Sequence, residues 1–190
     1  MTKCDPERNP WTTVDSKQVY SNPWITVRED QVIRPDGKPG IYGVVETRIA
    51  TGVIALTPTL EVYLVGQYRY PTEMYSWEII EGGADPGEEP MDAAKRELKE
   101  EAGVLGKRWE QLGEEVHLSN CFSSERAIFY LAQELQETER EPEGTEVLQI
   151  RTLPLAECIA MVDRGEIKDA MSVIALLRLD RLLRSRGKIA

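Results

Sequence analysis

The chain has 190 residues, of which 41% are hydrophobic and 29% are charged, and its formal net charge is −10. This size and composition are typical of a globular protein with an ordinary core, formed by one domain or by one domain with an added arm. The negative charge argues against nucleic acid as the main partner, because duplex binding needs clustered cations that displace counterions from phosphates.

The first half of the chain is predicted to be rich in strands. Residues 16–34 alternate and favour β-structure, and residues 34–40 have the glycine and proline content of a turn. Ile41 to Ile49, Gly52 to Thr57 and Glu61 to Tyr68 follow as strands. We expect these segments to form a run of β-hairpins.

The second half mixes helices and strands. A helix is predicted from Met91 to Ala102, with Pro90 suited to its first turn and Gly103 to its left-handed stop. Strands then alternate with loops and two C-terminal helices, which indicates an α+β fold with helices on the faces of a mixed sheet. These later segments are the strands Val116 to Leu118, Ala127 to Leu135 and Val147 to Leu153, a glutamate-rich stretch from Glu134 to Glu146 interpreted as a solvated loop, and the helices Leu155 to Arg164 and Asp169 to Arg184.

A domain boundary is predicted near residue 45. Residues 1–45 would form an N-terminal β-arm and residues 46–190 the catalytic core. The arm has few burial partners of its own, so one interpretation is that it packs on a second subunit in a homodimer. The alternative is that it extends the sheet of its own chain.

Several chemistries and locations are excluded by composition. Cys4, Cys121 and Cys158 are far apart and form no Cys-x-x-Cys pair, so neither a disulfide framework nor a zinc site is predicted. The single histidine, His117, makes a Ser-His-Asp triad a poor expectation. No apolar run reaches the roughly 18 residues of a membrane span, and the first ten residues lack the apolar stretch of a signal peptide, so we expect a cytoplasmic protein.

The predicted helix carries a cluster of carboxylates. Glu97, Glu100 and Glu101 stand at positions i, i+3 and i+4 and therefore share one face, where like charges repel. A hard divalent cation such as Mg²⁺, with Mn²⁺ as a substitute, explains such a cluster beside a core. The glycine-rich loop before the helix would let the main-chain carbonyl of Glu81 join the metal ligands, and Arg96 is placed to orient a carboxylate. The alternative is an exposed glutamate-rich helix without a chemical role.

The spacing of this segment resembles the complete Nudix box. That pattern is a glycine, five residues, a glutamate, seven residues, and then Arg-Glu-apolar-x-Glu-Glu-x-Gly-apolar. The resemblance implies an α/β/α sandwich with a mixed sheet, and a pyrophosphate hydrolase in which Glu97, Glu100 and Glu101 bind two or three magnesium ions. It further implies that Glu88 supports these ligands and that Arg96 orients them. The matching residues are Gly82, Glu88, Arg96, Glu97, Leu98, Glu100, Glu101, Gly103 and Val104.

Further segments resemble the ADP-ribose and nucleoside-diphosphate-sugar branch of this family. They are residues 67–71, residues 77–78 and residues 165–170. The resemblance implies that Arg69 meets the pyrophosphate and that Glu78 lies near the substrate. It also implies that the N-terminal arm crosses a dimer interface, where Trp24 or Tyr42 would stack on the base. The alternatives are a surface charge for Arg69 and plain packing for the two aromatic residues.

The general base in this branch often comes from a loop glutamate before the last strand. Glu146 is the preferred candidate, Glu143 lies in the same loop, and Glu125 is a third candidate. A mobile loop could carry such a carboxylate to the attacking water once the substrate has bound. The alternative is an acidic surface loop.

One departure from the branch bears on the substrate. ADP-ribose pyrophosphatases usually have a proline where this chain has Asn120. This favours a GDP-mannose-like or broad nucleoside diphosphate sugar substrate over ADP-ribose. Hydrolysis of ADP-ribose, of a dinucleotide or of an oxidised nucleotide stays an alternative within the enzyme class. A nucleotide-binding module without catalysis is the alternative outside it.

Overall fold

The structure is a computed structural model that describes residues 7–141 and 147–189. They form eleven strands and three α-helices in an α+β arrangement, as predicted. The strands are β1 (Thr12–Ser21), β2 (Ile25–Ile33), β3 (Pro39–Thr47), β4 (Ala50–Ala55), β5 (Glu61–Arg69), β6 (Met74–Glu78), β7 (Ile80–Gly83), β8 (Val104–Gln111), β9 (Val116–His117), β10 (Arg126–Glu137) and β11 (Gln149–Pro154); the helices are α1 (Pro90–Ala102), α2 (Leu155–Asp163) and α3 (Ala170–Ser185).

The chain divides into two compact units. The first contains the N-terminal residues up to Arg48 together with residues 119–125, and its strands β1, β2 and β3 form an antiparallel sheet in that order. The segment 119–125 joins this sheet through hydrogen bonds between Val45 and both Phe122 and Ser124. Residues 16–34, expected to favour β-structure within a run of hairpins, belong to the antiparallel hairpin of β1 and β2. The Asn22 side chain accepts hydrogen bonds from the amides of Trp24 and Ile25 and closes a turn between β1 and β2.

The second unit contains the remaining residues and holds two further sheets. One has the strand order β7-β4-β10-β8, with β9 also paired to β10, and the other has the order β11-β5-β6. The predicted run of hairpins was wrong for β4, which pairs in parallel with β10 and antiparallel with β7. A parallel pairing joins segments that are distant in sequence, so local periodicity does not reveal it.

Alternate residues of β4 point into two different cores. Val53 and Ala55 join a cluster with Leu98 of α1, whereas Ile54 and Leu56 join a cluster formed by α2 and α3. Leu56 directly follows β4, and all four side chains are at most 1% exposed. The sheet therefore has α1 on one face and the two C-terminal helices on the other, which is the predicted layered arrangement.

Helix α1 begins and ends as the sequence predicts. Pro90 occupies its first turn, and Gly103 ends it in the left-handed region at φ 65°. The glutamate-rich stretch was only partly a loop, because Glu134–Glu137 belongs to β10, where alternation continues beyond the predicted end. Strands β6, β7 and β8 were not predicted. Among the described residues, no helix has both the length and the apolarity of a membrane span.

Candidate active site

The loop between β7 and α1 brings the backbone against the carboxylates of the helix. Gly82 lies in β7, where it pairs with Thr51 of β4, and a Cβ atom at Gly82 would overlap the side chain of Glu97. The absence of a side chain therefore gives the Glu97 carboxylate its place beside the main chain. The hydroxyl of Thr51 donates to the Gly82 carbonyl at 3.2 Å and fixes the loop from the other side.

Arg96 is the cation at the centre of the site. Its guanidinium donates to both carboxylate oxygens of Glu88, each at 3.1 Å. It also donates to Glu97 at 2.6 Å, to Glu100 at 3.0 Å and to the Gly83 carbonyl at 3.1 Å. The hydrogen bonds from Arg96 lower the pKa of Glu88 below its usual value. One planar donor therefore holds three carboxylates.

Glu101 is oriented differently from its two neighbours on the helix. It is 2% exposed, and its Oε2 accepts a hydrogen bond from the Glu81 amide at 3.3 Å. This contact joins α1 to β7, the strand that precedes the helix in the chain. Within residues 7–141 and 147–189, no group of three or more histidine, cysteine or acidic side chains is arranged to enclose a metal ion.

The donor chemistry of these residues fits a hard divalent cation. Glu97, Glu100 and Glu101 offer carboxylate oxygens from one helical stretch, and the Glu81 carbonyl lies on the adjacent strand. Oxygen ligands of this kind suit Mg²⁺ and Mn²⁺. The absence of a side chain at Gly82 leaves room for the Glu97 carboxylate, which the Cβ atom of any other residue would overlap.

The side chain of Glu81 takes part in a second network that the sequence did not reveal. Its Oε1 accepts a hydrogen bond from the Ser172 hydroxyl at 3.0 Å. Burial raises the pKa of Glu81 well above its usual value, and the neighbouring carboxylates of Asp169 and Glu78 raise it further. The fully buried Ser172 hydroxyl also accepts from the Ile79 amide at 3.0 Å. The start of α3 is therefore tied to β7.

The sequence reveals one part of this network, which is the start of the last helix at Asp169. The Asp169 side chain accepts a hydrogen bond from the Ser172 amide at 2.7 Å, which is an N-cap. An N-cap followed by serine three residues later predicts a helix boundary. It does not indicate the strand that this boundary contacts.

Arg69 and Glu78 lie on adjacent strands and form an ion pair. The guanidinium of Arg69 on β5 donates two hydrogen bonds at 3.0 Å from Nε and one shorter bond from Nη2 to the Glu78 carboxylate on β6. Glu78 is 2% exposed, so its charge is compensated almost entirely by Arg69. Both residues line a cleft of about 660 Å³ that Asp169 also lines.

The remaining predicted residues are distributed over the rest of the chain. Trp24 belongs to the first unit and is 70% exposed. Tyr42 belongs to the same unit, where its hydroxyl donates to the Cys121 carbonyl at 2.6 Å. Glu125 is also in that unit, and its amide donates to the Ser123 hydroxyl. Glu143 and Glu146 lie outside the described residues.

Two protein-family models match the chain. Residues 11–45 match the nucleoside diphosphate sugar hydrolase N-terminal domain, and residues 46–174 match the NUDIX domain. Together the two matches are contiguous and reach from the first strand into α3.

Curated proteins and a solved structure are similar over most of the chain. The ADP-ribose pyrophosphatase of Bacillus subtilis (strain 168) is 30% identical over 86% of this chain and 89% of its own length. The ADP-ribose pyrophosphatase of Mycobacterium tuberculosis (strain ATCC 25618 / H37Rv) is 32% identical over 87% and 81%. The crystal structure of an ADP compounds hydrolase superposes with a TM-score of 0.86 at 24% identity, covering 97% of this chain and all of that one, which establishes the fold.

Proposed function

Because the chain belongs to the Nudix family of pyrophosphohydrolases, we propose that it hydrolyses the pyrophosphate bond of a nucleoside diphosphate sugar, with Mg²⁺ as cofactor. The products would be a nucleoside monophosphate and a sugar phosphate. The observation that carries the proposal is the convergence of Glu88, Glu97 and Glu100 on Arg96, with Glu101 buried against the Glu81 amide. Cytoplasmic location is part of the same proposal.

Each residue of the box has a distinct task in this proposal. Glu97, Glu100 and Glu101 hold the divalent cation, together with the main-chain carbonyl of Glu81. Arg96 restricts the side-chain conformations of two of these carboxylates. Less conformational entropy is therefore lost when the ion and the substrate bind. When bound, the ion supplies Lewis acidity that neutralises the pyrophosphate and activates water.

Arg69 is proposed to contact the pyrophosphate. Its guanidinium is held by the buried Glu78, which leaves part of its donor set directed away from the pair. Arginine offers five N–H donors, so a second anion can be bound without breaking the first contact. Glu78 acts here as the residue that positions Arg69.

A loop glutamate is proposed as the general base, with Glu146 preferred over Glu143 and Glu125. Separate glutamine substitutions would identify it, because loss of a base reduces turnover by roughly two to four orders of magnitude. Only the substitution at the true base should produce that loss while the KM for substrate and the dependence on Mg²⁺ stay unchanged. Equal and small losses in all three variants would reject a loop glutamate as the base.

The observations that bear on the substrate favour two different candidates. The N-terminal family model is described for nucleoside diphosphate sugars, and Asn120 replaces the proline usual in ADP-ribose pyrophosphatases. The relatives from Bacillus subtilis and Mycobacterium tuberculosis carry the name ADP-ribose pyrophosphatase and give ADP-ribose at least equal support. ADP-ribose is therefore the second candidate.

A substrate screen with magnesium tests the proposal. ADP-ribose, GDP-mannose, UDP-glucose and ADP-glucose would be compared by kcat/KM in a phosphatase-coupled assay that detects the monophosphate products. We expect at least one of these compounds to be hydrolysed efficiently, and a preference of tenfold or more would correspond to about 1.4 kcal/mol of transition-state discrimination. Hydrolysis of none of them, with activity on a dinucleotide or an oxidised nucleotide instead, would reject the substrate class.

A further inference from the structure

The cleft beside the Arg69–Glu78 pair carries two cations that have no assigned role. Arg151 of β11 and Lys168, which precedes the start of α3, both line it, and both side chains are exposed. Among the described residues, neither forms an ion pair with a carboxylate. In a chain with a net charge of −10, two cations without a carboxylate partner facing one cleft are unusual.

The acidic residues of the cleft are already engaged by other groups. Glu78 is paired with Arg69, and Glu166 accepts hydrogen bonds from Arg164 at 2.7 and 3.2 Å. Asp169 caps α3 through the Ser172 amide. None of these carboxylates forms an ion pair with Arg151 or Lys168, so these two side chains are available to an anion from solution.

The position of Arg151 suits recognition of a phosphate. Its guanidinium carbon lies 4.0 Å from the centre of the Trp77 ring, and Tyr75 packs edge-on against the same indole at 5.6 Å. A stacked guanidinium keeps its N–H donors in the plane of the group, where they can donate to phosphate oxygens. Trp77 and Met161 add an apolar floor of the kind on which a sugar ring can pack.

The cleft lies close to the carboxylate helix. Asp169, which lines the cleft, accepts a hydrogen bond from the Ser172 amide, and the Ser172 hydroxyl donates to Glu81. The Glu81 amide in turn donates to Glu101, so three hydrogen bonds through Ser172 and Glu81 connect the wall of the cleft to a proposed metal ligand. Arg69, the proposed pyrophosphate contact, is itself part of the lining.

We propose that this cleft binds the sugar phosphate half of the substrate, and that Arg151 and Lys168 hold the phosphate that leaves with the sugar. The inference rests on the proposed function and adds the orientation of the substrate. The nucleoside half then lies on the other side of Arg69, outside this cleft. A volume of about 660 Å³ is ample for a sugar phosphate and is within the usual range of ligand pockets.

Product inhibition distinguishes the two halves of the substrate. With ADP-ribose as the substrate, the inhibition constants of its products ribose 5-phosphate and AMP would be measured for wild-type enzyme and for Arg151→Ala and Lys168→Ala; for another substrate of the screen, its own sugar phosphate and nucleoside monophosphate replace them. We expect each variant to weaken inhibition by ribose 5-phosphate about tenfold, the effect of losing one charged hydrogen bond, and inhibition by AMP less than about twofold. Both side chains are exposed, so the fold should not change.

Matched substitutions elsewhere separate a local effect from a change in net charge. Lys107→Ala on β8 removes an exposed lysine outside the cleft, and Arg181→Ala on α3 does the same for arginine. Both controls should leave the two inhibition constants unchanged. A selective loss of AMP inhibition in the cleft variants would place the nucleoside half there and overturn the inference. Unchanged inhibition by either product would overturn it as well.

The inference and the proposed function fail in different ways. Absence of hydrolysis for every nucleoside diphosphate sugar would reject the function, whatever the variants do. Calorimetric titration with ribose 5-phosphate does not depend on turnover, and it tests the cleft directly. Binding that is equal in wild type and Lys168→Ala would reject the cleft assignment even in a fully active enzyme.

Discussion

At the scale of single residues, the site is organised by one arginine and one buried glutamate. Arg96 bridges Glu88, Glu97 and Glu100, so the repulsion expected among carboxylates one turn apart is partly offset within the chain itself. Glu101 does not share this cation and is held by a main-chain amide. The box therefore contains two kinds of carboxylate, and they are expected to respond differently to substitution.

Substitution of Glu101 by glutamine is predicted to reduce kcat by two orders of magnitude or more, because the buried carboxylate proposed to hold the cation is lost. The side chain keeps its size and an acceptor for the Glu81 amide, so the thermal midpoint should shift little. Glu114→Gln, at an exposed position, is the control. Near wild-type turnover in Glu101→Gln would reject its assignment as a ligand.

Substitution of Glu81 by glutamine is predicted to change how stability depends on pH. Burial and the nearby Asp169 raise the pKa of Glu81 in the folded state, so its contribution to stability is present at low pH and is lost as the pH rises through that value. The neutral glutamine has no such loss. The thermal midpoint of Glu81→Gln minus that of wild type should therefore increase as the pH rises through the folded-state pKa of Glu81, measured without metal. A difference that does not change with pH would contradict the assignment.

At the scale of elements, the strand β7 connects the two helical layers. Its residue Glu81 contacts Glu101 of α1 through the main chain and Ser172 of α3 through the side chain. Ser172 also satisfies the amide of the fully buried Ile79 just before β7. A displacement of the start of α3 would thus be transmitted to the carbonyl proposed as a metal ligand.

Substitution of Ser172 by alanine is predicted to destabilise the fold by about 1–3 kcal/mol, because a buried amide loses its acceptor. It should also raise the Mg²⁺ concentration needed for half-maximal activity, since Glu81 loses one of its supports. Denaturant unfolding and a magnesium titration of activity measure the two effects. Ser185→Ala, near the exposed end of the same helix, should change stability by less than about 0.5 kcal/mol. An unaltered magnesium requirement in Ser172→Ala would leave the serine a purely structural role.

The sequence predicted the elements whose signals are local. Helix α1 is bounded by Pro90 and Gly103, and its carboxylate spacing identifies the box without knowledge of the fold. The network of Asp169 and Ser172 with Glu81 could not be predicted, because its members are separated by about 90 residues and meet only through packing of α3 on the sheet. The parallel pairing of β4 with β10 was inaccessible for the same reason.

At the scale of the whole molecule, exposed apolar surface is concentrated in the first unit. Seven large hydrophobic side chains of β1, β2, β3 and their flanking residues are at least 36% exposed. Soluble proteins rarely leave clustered apolar surface uncovered unless it forms an interface. We propose that the arm of residues 1–45 packs on a second copy of the chain. The seven residues are Trp11, Val14, Val19, Tyr20, Trp24, Ile33 and Ile41.

Lysine substitutions at exposed arm positions are predicted to convert a dimer into a monomer. Val19 and Ile41 are 53% and 65% exposed, so a lysine at either position is compatible with the strand but not with a desolvated interface. Light scattering after size exclusion would give the mass of each variant. Leu177→Lys, at a 45% exposed position on α3, is the matched control and should stay dimeric. A wild-type protein with the mass of one chain would reject the arm as a dimer interface.

Binding of Mn²⁺, measured by electron paramagnetic resonance, tests the central claim most directly. Wild type, Glu97→Gln, Glu101→Gln and the control Glu114→Gln would be titrated in the presence of a non-hydrolysable analogue of ADP-ribose. Mn²⁺ should bind wild type and the control with equal affinity, and the two helix variants at least about tenfold more weakly. Equal binding by all four proteins would contradict the claim that the carboxylates of α1 hold the divalent cation.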